Sequence, residues 1–370
     1  MITAQRLPAS LTPLDAALAA VLRDVAAVTP AELPLAEALH CVAAEMPPLR
    51  AFPPHDVAAL DGWAMRANDL VGASSYAPLP LAAPPVWVEA GSAMPAGTDC
   101  VVDADAVEIS GPMAQVLAEA IPGQGVRRAG SDIAEGRPLT DAGQAVLPRD
   151  LLLARAAGLA TLCVRRPRLR LVNTPGGEVT APLIAEAARL GGAEVTRTQA
   201  PGREAAAIAA TLDAGGCDLL VTIGGSGVGR SDAAVTALSA RGEVIAHGIA
   251  LQPGRTAAVG RIGTTPVIAL PGAPDQAFSV WWALVLPVLD RLSSRRPRQT
   301  QALPLARKIA SSVGIAEVAL LRSQHDSWTT LAIGDLSLDA IARADALLIV
   351  PGSAEGFAAG TVVDAYMLRE

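Results

Sequence analysis

The chain has 370 residues, 51% of them hydrophobic, and its 29 lysines and arginines against 36 aspartates and glutamates leave a formal net charge of −7. That length holds two or three domains with ample buried core, and the apolar fraction excludes a disordered chain. An acidic pI near 5.2 argues against nonspecific nucleic-acid binding, and no apolar run reaches the ~18 uncharged residues of a membrane helix.

Met1-Ile2-Thr3-Ala4-Gln5-Arg6 lacks the basic start and apolar core of a secretory leader, so a cytoplasmic protein with no membrane partner is expected. Thr12-Pro13-Leu14-Asp15 reads as an N-cap and N1 proline, opening a helix with Leu14, Ala17, Leu18, Val21, Leu22 and Val25 on one face. A second helix is expected from Thr29-Pro30 to about Leu39. From Ala51 to about Leu147, short apolar runs (Val86–Val88, Val101-Val102, Val107–Ile109, Gln115–Ala118) alternate with Pro and Gly turns. This is the spacing of small antiparallel sheets, a β-rich module inserted into the helical one. Helical character returns over Pro148–Gly158, and Arg165-Arg166-Pro167 marks a boundary.

Beyond it lies a βα alternation: strands Leu169–Val172, Glu194–Thr198, Leu219–Ile223 and Val267–Leu270, with helices Ala181–Leu190, Glu204–Ala214, Asp232–Leu238 and Gln276–Leu292. Apolar strands alternating with amphipathic helices predict a mostly parallel, doubly wound sheet, whose ligands bind at the carboxyl ends of the strands. Ser293–Gln299 reads as a linker, and the β-like runs after it predict a small β domain. The fold class is therefore α/β multidomain. Cys41, Cys100, Cys163 and Cys217 form no CxxC pair, and the four histidines are not spaced as metal ligands, so zinc and redox motifs are absent.

The strongest chemical signal is Gly224-Gly225-Ser226-Gly227-Val228-Gly229-Arg230-Ser231-Asp232, directly after an apolar strand and opening a helix. Its glycines let the backbone approach an anion, Arg230 adds a fork of donors, and Asp232 suits either a helix cap or a cation. A plain glycine-rich turn with an Asp cap fits the same residues. Neither a Walker A pattern nor a GxGxxG fingerprint is met. Asn173-Thr174-Pro175-Gly176-Gly177-Glu178 and Pro271-Gly272-Ala273-Pro274 end two further strands, so three loops should meet on one sheet edge. In the β-rich module, Asp61 interrupts an apolar stretch, in a site or in an ordinary Asp-Gly turn.

Taken in order, these segments resemble the molybdopterin molybdenumtransferases, the molybdenum-inserting proteins that include the E domain of gephyrin. Ala58–Ala64 is similar to the family's Ser-x-Met-Asp-Gly-Tyr-Ala, Ala90–Asp99 to its Thr-Gly-Ala-x-x-Pro-x-Gly-Ala-Asp, and Arg127–Asp132 to its Arg-x-x-Gly-x-Asp. Thr174–Glu178 loosely meets Thr-Gly-Asp-Glu, and Gly224–Asp232 corresponds to Gly-Gly-Val-Ser-Val-Gly-x-x-Asp. Gln252–Arg255 stands for Lys-Pro-Gly-Lys and Ala269–Pro274 for Gly-Leu-Pro-Gly-Asn-Pro. The chain departs from the pattern at Ala90 (for Thr), within Pro175-Gly176-Gly177 (for Asp), and at Gly248 and Gln252 (each for Lys). Ile315 replaces an Arg.

The resemblance implies a homodimer of four-domain subunits. These would be a helical domain I (1–46 and 134–166), an inserted β-rich domain II (47–133), an α/β molybdopterin-binding domain III (167–295) and a C-terminal β domain IV (299–370). It implies insertion of molybdate into adenylylated molybdopterin with release of AMP, supported by Mg2+. Asp61, Asp132, Glu178 and Asp232 would be the catalytic and metal-holding carboxylates. Thr174, Gly176, Gly224, Gly225, Ser226, Gly227, Gly229, Arg230, Arg255, Pro271 and Gly272 would bind the pterin. A molybdoenzyme or another protein of cofactor synthesis is the implied partner. The lost cations suit an alternative, a non-catalytic protein that binds and delivers the cofactor.

Overall fold

The computed structural model describes residues 5–110 and 113–368. Met1 to Ala4, part of the leader reading above, lie outside them. The chain divides into two compact units: one contains the residues up to Ala44, Ala142–Leu147 and everything from Leu162, the other Glu45–Asp141 and Pro148–Thr161. The helix Pro148–Ala156 thus goes with the β-rich unit, whereas the sequence placed it in the helical domain.

The first unit opens with the strand Thr12–Pro13 and the helix Leu14–Leu22. Thr12 is not an N-cap. It pairs in parallel with Ile249, its N–H donating to Gly248 O at 2.9 Å, and the helix starts two residues later. The helix expected over Thr29–Leu39 is instead a strand, Ala31–Pro34, followed by one turn, Leu35–Ala38. Pro34 explains the difference: it pushes Leu33 out of the helical region and has no N–H to continue a helix through it.

The α/β layer is a six-stranded sheet in the order Glu194–Gln199, Arg168–Asn173, Leu219–Ile223, Thr265–Leu270, Ala258–Ile262, Glu243–His247. The first four strands are parallel, and the last two close the edge antiparallel. All five residues of Leu219–Ile223 are buried, as a strand covered on both faces requires. One face, with Leu171, Val221 and Ile268, packs under Ala17 and Val21 of the first helix and under the long helix Pro274–Ser293. The other, with Val172, Leu220 and Val267, packs under the helices Ala205–Thr211 and Ala234–Arg241. The long helix carries a wider π-type turn at Trp281–Val285. There Trp281 is buried in the core, and Trp282 lies 6.1 Å from the Tyr366 ring.

A second sheet runs through the C-terminal part. The strand Ile249–Gln252 joins Thr12–Pro13 on one side to Ala316–Gln324 on the other, and Ala346–Val350, Val362–Met367 and Thr300–Pro304 continue the order.

The β-rich unit holds small antiparallel sheets. Gly62–Met65 lies between Val86–Val88 and Cys100–Val102, Met113–Val116 between Leu79–Pro80 and Val107–Ser110, and Val57–Ala58 pairs with Val126–Arg127. Gly62 is obligatory, because a Cβ there would run into the Val102 carbonyl.

Candidate active site

Three strand-end loops of the first unit meet at the carboxyl edge of its parallel strands. Thr174 is buried, and its N–H and hydroxyl both donate to Ile223 O, at 2.9 Å each. Gly224 N–H donates to Leu270 O at 2.9 Å, and Thr180 Oγ1 to Gly272 O at 2.6 Å, which draws the buried Pro271 and its neighbour onto the same edge. Gly224 has φ +83°, and a side chain there would meet Thr174 Oγ1 and approach Gly272 Cα. The backbones come this close only because both positions are glycine.

The glycine loop is braced from behind by residues with no local signal. Gln5, from the N-terminal segment, is 8% exposed, and its amide donates to Gly225 O (3.0 Å) and Gly227 O (2.8 Å). His247 Nε2 lies 2.9 Å from Ser226 O, and since a carbonyl only accepts, that nitrogen carries the proton. The N–H groups of Ser226, Gly227 and Val228 make no hydrogen bond among the described residues, and the fully buried Ser226 hydroxyl has no partner.

The helix Ala234–Arg241 after this loop does not offer its first N–H groups to an anion. They are already taken: Gln5 Oε1 accepts from Val235 N–H (2.9 Å) and Thr236 N–H (3.1 Å). Asp232 does not cap the helix either. One of its oxygens accepts from Gly229 N–H at 2.9 Å, and the other pairs with Arg203 at 3.3 Å. Arg203 also donates to Pro175 O at 2.9 Å, so it ties the Pro175 loop to the glycine loop.

Glu178 is exposed and folds back on its own loop, one oxygen accepting from Gly176 N–H at 2.9 Å. That hydrogen bond, with a second from its own N–H, holds its carboxyl below the usual glutamate value. Arg230 and Arg255 are exposed, on the glycine loop and on the Pro253–Thr256 turn. Gln252, standing where the family has lysine, donates to Gly334 O at 3.0 Å and so serves the seam with the C-terminal sheet. At Gly248 a side chain would begin about 3.1 Å from Leu7 and Leu11, so the N-terminal segment fills the space a lysine would need.

In the second unit Asp61 is exposed, and one oxygen accepts from Ala90 N–H at 2.7 Å. The main chain of Ala90 makes this contact, so the loss of the family's threonine side chain leaves it intact. Asp132 pairs with Arg127 at 3.0 Å, both side chains well exposed, an arrangement worth under ~1 kcal/mol. Asp56 holds the same turn by accepting from Ala129 N–H at 2.8 Å. Gln5, Arg203, His247 and Asp56 are site-shaping residues that sequence reasoning missed. Only the Pro201-Gly202-Arg203 turn, at the end of a strand, offered a local clue.

The four carboxylates were expected to hold magnesium. Among the described residues no three His, Cys, Asp or Glu side chains gather around a common point, and both oxygens of Asp232 are engaged. The donors within either unit do not fit a resident magnesium ion, which prefers a cage of free oxygens and water.

A doubly wound α/β layer with a glycine loop at its carboxyl edge, in a chain that also carries a β-rich insertion and a C-terminal β sheet, defines a multidomain α/β protein. Residues 12–158 match the MoeA N-terminal region (domains I and II), and residues 170–291 match the probable molybdopterin binding domain. The chain is 30% identical over 364 residues to molybdopterin molybdenumtransferase 2 of Mycobacterium tuberculosis, covering 86% of this chain and 90% of that protein. It is 28% identical to the molybdopterin molybdenumtransferase of Synechococcus elongatus, over 84% of this chain and 88% of that one. A crystal structure of the molybdopterin biosynthesis MoeA protein from Pyrococcus horikoshii shares the fold, with a TM-score of 0.66 at 21% identity, over 97% of this chain and 100% of that one. This chain belongs to the molybdopterin molybdenumtransferase family.

Proposed function

We propose that the chain is a cytoplasmic enzyme of molybdenum-cofactor biosynthesis that inserts molybdate into adenylylated molybdopterin and releases AMP. The observation that carries this reading is the glycine cradle, whose three consecutive main-chain N–H groups have no partner among the described residues, at the carboxyl edge of the parallel strands. Backbone donors held in place stabilise a phosphate, and the charge that grows as the phosphoanhydride is cleaved, without the reorganisation that water would need. Exposed Arg230 adds positive charge beside them. The related transferases support the reaction, and the buried thiols Cys41, Cys100 and Cys217 suit a reducing compartment.

AMP release from adenylylated molybdopterin, measured with and without molybdate and with and without magnesium, tests the reading. Molybdate-stimulated release is expected. Tight pterin binding with AMP release no faster than the uncatalysed rate would overturn the enzyme and leave a cofactor carrier.

A homodimer is part of this proposal. An apolar cleft of about 910 Å³ in the first unit, with Leu14, Leu18, Trp282, Leu286 and Ile349 on its walls, supports it. Sedimentation equilibrium is expected to give twice the 37.6 kDa chain mass, and a monomer at micromolar concentration would remove the dimer from the reading.

A further inference from the structure

We propose that Gln5 and His247 are positioning residues that aim the glycine loop at its ligand. By holding three consecutive carbonyls, they turn the N–H groups of Ser226, Gly227 and Val228 away from the side chains that hold them, as an anion cradle. The inference rests on the reading above that this loop takes the phosphate of the pterin substrate.

The argument begins with the peptide unit. In a planar trans peptide the C=O of one residue and the N–H of the next point in opposite directions. Gln5 holds the carbonyl of Gly227 and shares that of Gly225 with Ala234 N–H, and His247 holds the one between them, at 2.8 to 3.0 Å. Each amide that follows, on Ser226, Gly227 and Val228, therefore faces away from the side chain that holds the carbonyl before it. These are the N–H groups without a partner. Ser226 is fully buried, and its hydroxyl is unpartnered as well. Gly227 is half-buried and Val228 exposed. A buried main-chain donor such as that of Ser226 seldom remains unpaired, because leaving it so forfeits a hydrogen bond to water with nothing in return. Followed by two further unpartnered amides in a glycine loop, it makes the donor set of an anion nest.

Gln5 does a second thing. Its oxygen occupies the N–H groups of Val235 and Thr236 in the helix Ala234–Arg241, whose first N–H goes to Gly225 O, and this leaves the loop amides as the place where a phosphate is held. The N-terminal segment reaches this position by passing over Gly248, whose missing side chain makes room for Leu7 and Leu11.

The test uses the full chain with Gln5→Glu, His247→Ala and His247→Gln. A glutamate at position 5 still accepts from Val235 and Thr236, so the helix stays capped, but it cannot donate to the Gly225 and Gly227 carbonyls. Gln5→Glu and His247→Ala are expected to raise KM for adenylylated molybdopterin about tenfold, the scale of one or two lost hydrogen bonds, with kcat within about twofold. His247→Gln, whose amide can donate to Ser226 O, should restore KM. A merely structural role would lower the melting temperature and leave KM of the folded fraction unchanged. Independently, inorganic phosphate should shift the amide resonances of Ser226, Gly227 and Val228 in the wild type and not in Gln5→Glu. If the wild type releases no AMP but these amides still respond, the function proposed above fails and the cradle stands. Equal phosphate shifts in wild type and Gln5→Glu, or none in the wild type, would overturn the inference.

Discussion

Asp61→Asn is expected to reduce AMP release at least a hundredfold while leaving the fold untouched. The substitution is unusually clean. Asp61 already accepts a 2.7 Å hydrogen bond from Ala90 N–H, and the amide oxygen of asparagine accepts the same bond. Only the charge is removed. The side chain is exposed, so the melting temperature should stay within about a degree, as for surface substitutions in general. A carboxylate that acts on reacting atoms commonly contributes a factor of about 10²–10⁴, whereas one that merely shapes a turn contributes almost none once its hydrogen bond is kept. Steady-state AMP release and pterin binding, measured side by side, separate these cases. Activity within tenfold of the wild type would remove Asp61 from the catalytic set.

Gly224→Val should abolish pterin binding and destabilise the first unit by about 2–4 kcal/mol. Two costs combine. At φ +83° the left-handed conformation costs a side chain with a Cβ about 1–2 kcal/mol, and more when that carbon is branched. The new side chain also displaces Thr174 Oγ1 from Ile223 O, a loss of about 1 kcal/mol at the point where two site loops touch. Gly216→Val is the control: its φ is +72°, but no atom lies within 4 Å of the added carbon. It should show the conformational cost alone and bind pterin normally. Calorimetric melts with a fluorescence binding titration decide this, and equal behaviour of the two variants would show that crowding at Thr174 has no part in the site.

The α/β layer was legible because its central strands are buried on both faces and so read as uninterrupted apolar runs closed by glycine, as at Leu219–Ile223. The antiparallel edge, Glu243–His247 with Ala258–Ile262, was not. Glu243–His247 is mostly outside the core, Gly248, Pro253 and Gly254 punctuate the segment that joins it to Ala258–Ile262, and the strand between them takes its partners from Thr12–Pro13 and Ala316–Gln324. No local pattern can announce such a pairing. The same holds at the site. The glycine loop and its companions could be read from residues next to strands, whereas Gln5 reaches the loop across 220 positions of sequence. The helix-cap alternative for Asp232 fails for a related reason: its partner Arg203 comes from another strand end, and pairing with it competes with capping.

The strand Ile249–Gln252 has a consequence for biosynthesis. As the chain leaves the ribosome, the strands within residues 168–270 can pair before the long helix Pro274–Ser293 arrives to cover one face, since each parallel strand finds its neighbour within about a hundred positions. Ile249–Gln252 then waits with one edge unfilled until Ala316–Gln324 emerges and pairs with it. During that interval the nascent protein displays a strand edge to any other chain in reach, so this seam is where aggregation or help from a chaperone should concentrate.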